Sequence, residues 1–256
     1  MFKKICGITN VEDALHAVAA GATHIGLIFV PGTPRLVSLE KAAEISAAVD
    51  KKAIVVGVFQ NQSEEEIAAA VAAADLQAIQ LHGQEKPEFC QKLGEKHGLP
   101  VIKTIVLEDA PIFVQADPIR TLMKKAEPYT TAQVTYLLFD KAKNSKQNAQ
   151  AWVTAAASQL WMAETLWREE KKAEKYELPP YFFAGGLTKD NLQLAYMMTK
   201  AIGFDVASGV EAATGKKDPA MVSAFIKKIV DLDEQGVDEI IRDDKEHAGQ
   251  QEETRQ

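Results

Sequence analysis

Eight short apolar runs, each followed by a stretch with helical spacing, constrain this chain more than any other feature. The runs occupy residues 2–6, 24–30, 53–59, 78–81, 100–105, 134–139, 181–183 and 201–206. Each is too short for a core helix and is bounded by turn residues, which favours strands. They lack strict polar alternation, as parallel strands covered on both faces do. Helix starts lie between them. Asn10 opens a stretch that carries Ala14, Val18 and Ala19 on one face, and Ser38 stands at an N-cap position. Asn61-Gln-Ser-Glu-Glu-Glu leads into 67–74 with its acids at the positive end of the helix dipole. Thr188-Lys-Asp-Asn and Asp218-Pro-Ala-Met mark two more starts, the latter with Pro219 at the first helical position. Strand then helix, eight times, predicts an α/β fold of the (β/α)8 TIM-barrel type. The competing architecture is an open doubly wound sheet, but no Gly-x-Gly-x-x-Gly follows the first run, so dinucleotide binding of that kind has no support.

At 256 residues, a single domain can bury its core without disulfides, and Cys6 and Cys90 supply neither a disulfide framework nor a zinc pattern. No apolar run is long enough for a membrane span or a secretory signal. A net charge of -7 argues against a nucleic-acid binder. The expectation is a soluble cytoplasmic protein, with no membrane or nucleic acid among its partners. Residues 1–232 form the barrel domain. Within it, 141–178 is an enlarged loop and helix after the sixth strand, holding Trp152, Trp161 and Trp167, with Trp152, Leu160, Ala163 and Trp167 near one helical face. Residues 233–256 carry nine acids against three bases and few aliphatics, and read as an acidic extension, a frayed helix or a disordered tail.

In a barrel, reacting groups sit at strand C-termini and in the loops just after them. Cys6 ends the first strand beside Gly7, where a thiolate could act as base or nucleophile if nearby cations favoured it. Cys90 lies mid-helix and has no role. Asp140 ends the sixth strand after four apolar residues, and such an acid is partly desolvated toward a useful proton donor. Arg35, on a loop with two prolines, suits bidentate binding of a carboxylate or phosphate. Ala184-Gly-Gly-Leu-Thr and Ala207-Ser-Gly-Val-Glu follow the seventh and eighth strands, where barrels grip phosphate with backbone N–H groups. These residues point to a small phosphorylated substrate and to proton transfer between a thiolate and a carboxyl.

Several motifs in order then carry a resemblance. Lys4-Ile-Cys-Gly-Ile-Thr, Gly26-Leu-Ile-Phe-Val-Pro-Gly-Thr-Pro-Arg, Gly57-Val-Phe-Gln-Asn, Gln80-Leu-His-Gly, Leu137-Leu-Phe-Asp, Phe183-Ala-Gly-Gly-Leu and Asp205-Val-Ala-Ser-Gly-Val-Glu are similar to the phosphoribosylanthranilate isomerase family. The resemblance implies an Amadori rearrangement in tryptophan biosynthesis without metal or organic cofactor, in a monomer or homodimer. It implies Asp140 as general acid, Cys6 as general base and Arg35 on the anthranilate carboxylate. It further implies phosphate at Gly185, Gly186, Ser208 and Gly209, and His82 and Asp205 lining the site.

The sequence also departs from the family pattern. No glycine follows Asp140 where the family carries a glycine-rich loop, and Leu36 stands where an aromatic is common. The sixth helix is longer than in compact members, and the acidic extension is additional. Two rival readings follow: a related phosphosugar isomerase or epimerase, and a barrel without catalysis that serves as an interaction module.

Overall fold

The computed structural model describes residues 1–107, 116–130, 134–142, 145–170 and 178–236. Its eight barrel strands are β1 (Phe2–Cys6), β2 (His24–Ile28), β3 (Ile54–Phe59), β4 (Ala78–Leu81), β5 (Val101–Leu107), β6 (Tyr136–Lys141), β7 (Tyr181–Phe183) and β8 (Gly203–Val206). They pair in parallel in chain order, and β8 returns to β1 through Phe2↔Gly203 and Lys4↔Asp205, closing the barrel. Eight helices alternate with them: α1 (Val11–Ala19), α2 (Leu39–Val49), α3 (Glu64–Ala74), α4 (Pro87–His97), α5 (Ala116–Thr130), α6 (Ala149–Glu170), α7 (Leu192–Met198) and α8 (Pro219–Gln235). After β8 come a single 3-10 turn (Ser208–Val210) and a small hairpin of β9 (Glu211–Ala213) and β10 (Lys216–Lys217). The (β/α)8 expectation holds, and the open sheet does not form.

The helix starts follow from their caps. Asn10, Ser38 and Asp218 each accept a backbone N–H of the first turn, and Ser63 with Glu66 forms a reciprocal capping box. On α1 the buried face is Asp13, Ala14 and Ala17; Val18 is half-buried and Ala19 exposed. Asp13 rotates that face inward, because its carboxylate accepts the Lys217 N–H at 2.8 Å. Helix α7 begins at Leu192 rather than at Thr188, since Asn191 is used in the preceding loop.

Strand ends also shift. β2 stops at Ile28, where Pro31 supplies no N–H and Gly32 turns the chain at φ +76°. β5 and β6 run further than their apolar runs, paired as far as Val106↔Asp140 and Leu107↔Lys141. That ladder fixes the backbone of Asp140.

Two apolar cores result. Outward-facing side chains such as Ile5, Ile25, Ile79, Leu137 and Phe204 pack beneath the helices, while Val56, Ala78, Ile102, Leu138 and Phe182 fill the barrel. The bottom of the barrel is an aromatic plug, with Phe2 and Phe182 stacked at 5.8 Å and the His24 ring edge-on to both. On α6, Trp152, Leu160 and Ala163 are buried, and Trp152 stacks on Phe183 at 5.8 Å. Truncating such a tryptophan typically costs about 3–5 kcal/mol. Trp161 points outward, 58 % exposed, and the Trp167 side chain lies outside the described residues. At the C-terminal end, 233–235 complete α8, and 237–256 lie outside the described residues. No helix among the described residues is long and apolar enough to cross a membrane.

Candidate active site

The strand C-termini surround a cavity of about 560 Å³. Cys6, Arg35, His82, Asp140, Gly185, Gly186, Asp205, Ser208 and Gly209 all line it. Every residue singled out from the sequence therefore faces one space, while Cys90 is buried in α4, remote from it.

The position of Cys6 follows from the pleat of β1. Side chains alternate, so Phe2, Lys4 and Cys6 point into the barrel while Ile5 packs outward. Lys4 is fully buried and its Nζ lies 2.9 Å from Asp205 Oδ2. Cys6 is its other polar neighbour. Burial pushes the Cys6 thiol above its ordinary pKa; the Lys4 ammonium opposes this, Asp205 reinforces it, and Lys217 opposes it again.

Across the cavity, His82 Nε2 is 3.5 Å from Asp140 Oδ2, and the Lys141 N–H donates to Asp140 Oδ1 at 2.7 Å. On the third side, Arg35 meets Glu211 in a two-point pair. Nε donates to Oε1 at 2.7 Å and Nη2 to Oε2 at 2.6 Å. Glu211 also accepts Lys217 Nζ at 2.9 Å, and that same ammonium donates to the Ala207 carbonyl. These cations hold the Glu211 carboxyl below the usual carboxylate range, against the effect of burial. Two positive charges thus surround one negative charge, leaving the corner net cationic.

The two glycine loops are locked together. Gly185 and Gly186 adopt φ of +89° and +67°, a conformation other L residues rarely enter. Buried Asn191 clamps the same loop by accepting the Thr188 N–H and donating to the Gly186 carbonyl. At Gly209 a Cβ would lie 1.8 Å from the Leu187 carbonyl oxygen, so the loops meet only because that side chain is absent.

Sequence reasoning missed Lys4, Gln80, Asn191, Glu211 and Lys217. Lys4 carried a usable signal, since a residue two before Cys6 on a strand shares its face. Glu211 and Lys217 had none, because Glu211 joins Arg35 from a distant part of the chain and Lys217 enters the site only through Glu211. Gln80 donates to Thr104 Oγ1. Its Oε1 and Asp205 Oδ1 are buried acceptors without a hydrogen-bond partner, and both residues line the cavity. Among the described residues, no group of three or more His, Cys, Asp or Glu is placed to hold a metal.

The family model of N-(5'-phosphoribosyl)anthranilate (PRA) isomerase matches residues 3–228. The chain belongs to the PRA isomerase family. That family consists of enzymes of tryptophan biosynthesis. The PRA isomerase of Neisseria meningitidis is 36 % identical over 227 residues, spanning 87 % of this chain and 93 % of that protein. The PRA isomerase of Thermotoga neapolitana is 35 % identical over 225 residues, spanning 88 % and 96 %. The crystal structure of the Thermotoga maritima enzyme superposes with a TM-score of 0.71 at 30 % identity, covering 91 % of this chain and all of that one. A further PRA isomerase structure, in complex with reduced 1-(o-carboxyphenylamino)-1-deoxyribulose 5-phosphate, gives a TM-score of 0.68 at 30 % identity over 91 % of this chain and all of that one.

Proposed function

We propose that this chain converts N-(5-phosphoribosyl)anthranilate to 1-(2-carboxyphenylamino)-1-deoxyribulose 5-phosphate by general acid and general base catalysis. The observation that carries the reading is the single cavity, in a member of this family. It gathers a thiol, a carboxyl paired with an imidazole, an arginine and two glycine-rich loops from one chain. A monomer or a homodimer would accordingly hold a complete site.

Asp140, protonated, donates to the furanose ring oxygen; the C1–O bond breaks and the anilino nitrogen forms a protonated Schiff base with C1. Cys6, as thiolate, removes the proton from C2, and the electron pair moves into an enolamine. C1 then gains a proton while the C2 hydroxyl loses one, so the ketone forms with no net gain or loss of atoms. Both steps need a group held at the reacting atom in the right protonation state.

The remaining residues hold the substrate. The cationic corner at Arg35 takes the anthranilate carboxylate. Backbone N–H groups around Gly185, Gly186, Ser208 and Gly209 receive the phosphate, as barrel loops of this position do. The unpartnered acceptors on Asp205 and Gln80 suit sugar hydroxyls, whose donors would satisfy them. His82 stays against Asp140 and orients its carboxyl.

The test is a fluorescence assay with phosphoribosylanthranilate generated in place from anthranilate and phosphoribosyl pyrophosphate. Loss of the substrate signal above an enzyme-free blank supports the isomerase. Folded protein that leaves the signal at the blank overturns it. Turnover of a simpler pentose phosphate would then favour a related isomerase or epimerase.

A further inference from the structure

Among the described residues three lysines are almost wholly buried: Lys4, Lys103 and Lys217. Lys103 lies outside the barrel, where Glu85 at 2.6 Å and the Gly83 carbonyl at 2.7 Å hold it as a strut for the loop after β4. Lys217 supports Glu211 and thereby Arg35. Lys4 stands directly under the reacting end of the cavity, and the proposed chemistry gives it no step.

A buried ammonium is costly unless it is paired. Asp205 Oδ2 supplies one partner, and Cys6 is a second side chain that favours its charge. Packing brings the two groups together: a Cβ on Gly26 would lie 2.7 Å from Cys6 Sγ and 3.1 Å from Lys4 Nζ, so both atoms lie over the bare Cα of Gly26. We propose that Lys4, tethered by Asp205, is a positioning residue that holds its ammonium against the Cys6 sulfur and stabilises the anion that sulfur must become. The inference rests on Cys6 acting as the base, but the ionisation of the thiol can be read without turnover.

The other charged groups facing Cys6 fix the sign of the effect. Lys4 on the same strand and Lys217 on β10 favour the thiolate, while Asp205 on β8 disfavours it. Arg35, on the loop after β2, also senses the thiol, and its charge is offset by Glu211. Lys4 and Asp205 act on Cys6 in opposite directions. Removing Lys4 alone therefore disfavours the thiolate twice, by losing the cation and by leaving Asp205 unopposed. The proposal requires that removing Lys4 and Asp205 together still leave a net loss.

The experiment measures iodoacetamide alkylation of Cys6 against pH in the intact protein, with the modified peptide resolved by mass spectrometry from that of Cys90. The variants are Lys4→Met and the charge-balanced Lys4→Met/Asp205→Asn. A cation within a few ångströms shifts such a group by one or more pH units, so Lys4→Met should slow alkylation at neutral pH by ~10-fold or more. The midpoint should move to higher pH in both variants, less far in the double one, with the rising limb of kcat/KM following it. An unchanged midpoint in the double variant would show that only the stranded Asp205 charge mattered, and overturns the proposal. If Lys4→Met does not fold, the double variant decides alone. Wild-type protein without isomerase activity would refute the base role of Cys6, yet would leave the thiol result standing.

Discussion

Gly26 faces Cys6 so closely that a methyl group on it would lie 2.7 Å from the sulfur, well inside contact distance. The backbone of Gly26 is ordinary parallel strand, paired with Cys6 on one side and Val56 on the other. The glycine is therefore required by space rather than by conformation. Gly26→Ala is expected to displace the thiol while leaving the barrel folded. Misplacing a reacting group by about 1 Å can cost ~10²-fold, so kcat should fall between ~10- and ~10²-fold. Circular dichroism checks the fold and steady-state kinetics the rate. Wild-type turnover in this variant would mean that the sulfur is not the group whose position matters.

The acid side of the site gives a graded expectation. Asp140→Asn removes the proton donor and should lower kcat by at least ~10²-fold, as should Cys6→Ala for the base. His82→Gln keeps a hydrogen-bond donor near Asp140 Oδ2 but loses the imidazole, 3.5 Å away in the native protein. Its effect on kcat should be smaller than that of Asp140→Asn, with the pH profile displaced. Equal losses in the two variants would give His82 a direct part in the reaction.

Arg35 is aligned by Glu211 through two hydrogen bonds of 2.7 and 2.6 Å. Lysine retains the charge but presents a point instead of a planar fork. Arg35→Lys should raise KM about tenfold, which is roughly 1.4 kcal/mol, while kcat stays within a few-fold. A kcat loss at unchanged KM would relocate the carboxylate grip to another side chain.

The barrel was legible in the sequence because parallel strands buried on both faces leave unbroken apolar runs, and three of the eight, 2–6, 78–81 and 181–183, match the observed strands end for end. The boundaries that moved were set by pairing rather than composition. β6 continues through Asp140 and Lys141 because β5 offers partners there. The candidate site was legible where a residue's place relative to a strand end decides its direction, as for Cys6 and Asp140. It was not legible where charge pairs join distant elements. Glu211 reads locally as the end of a glycine motif, and only the closure of β8 onto β1 and the following hairpin bring it to Arg35. The buried lysine under Cys6 is an intermediate case, since the pleat sets its direction, whereas its pairing with Asp205 depends on the closure of β8 onto β1.

His24 provides a test of stability rather than activity. It sits in the aromatic plug, where burial and the nearby Lys4 charge lower its pKa from 6.5 to about 4. The folded protein therefore holds the neutral ring, whereas the unfolded chain binds a proton below pH 6.5. The folded-state pKa is depressed, so the stabilisation is fully present above pH 6.5 and is lost as pH falls toward 4. The loss amounts to about 3 kcal/mol across that window. Urea midpoints measured from pH 7 to pH 4 should fall for the wild type. His24→Gln should be less stable at pH 7, through lost packing, but show a flatter decline. Parallel declines in the two proteins would assign the acid sensitivity to the carboxylates instead. The first to examine are Glu85, held below the ordinary range by the Asn61 N–H and Lys103, and Glu211, held there by Arg35 and Lys217.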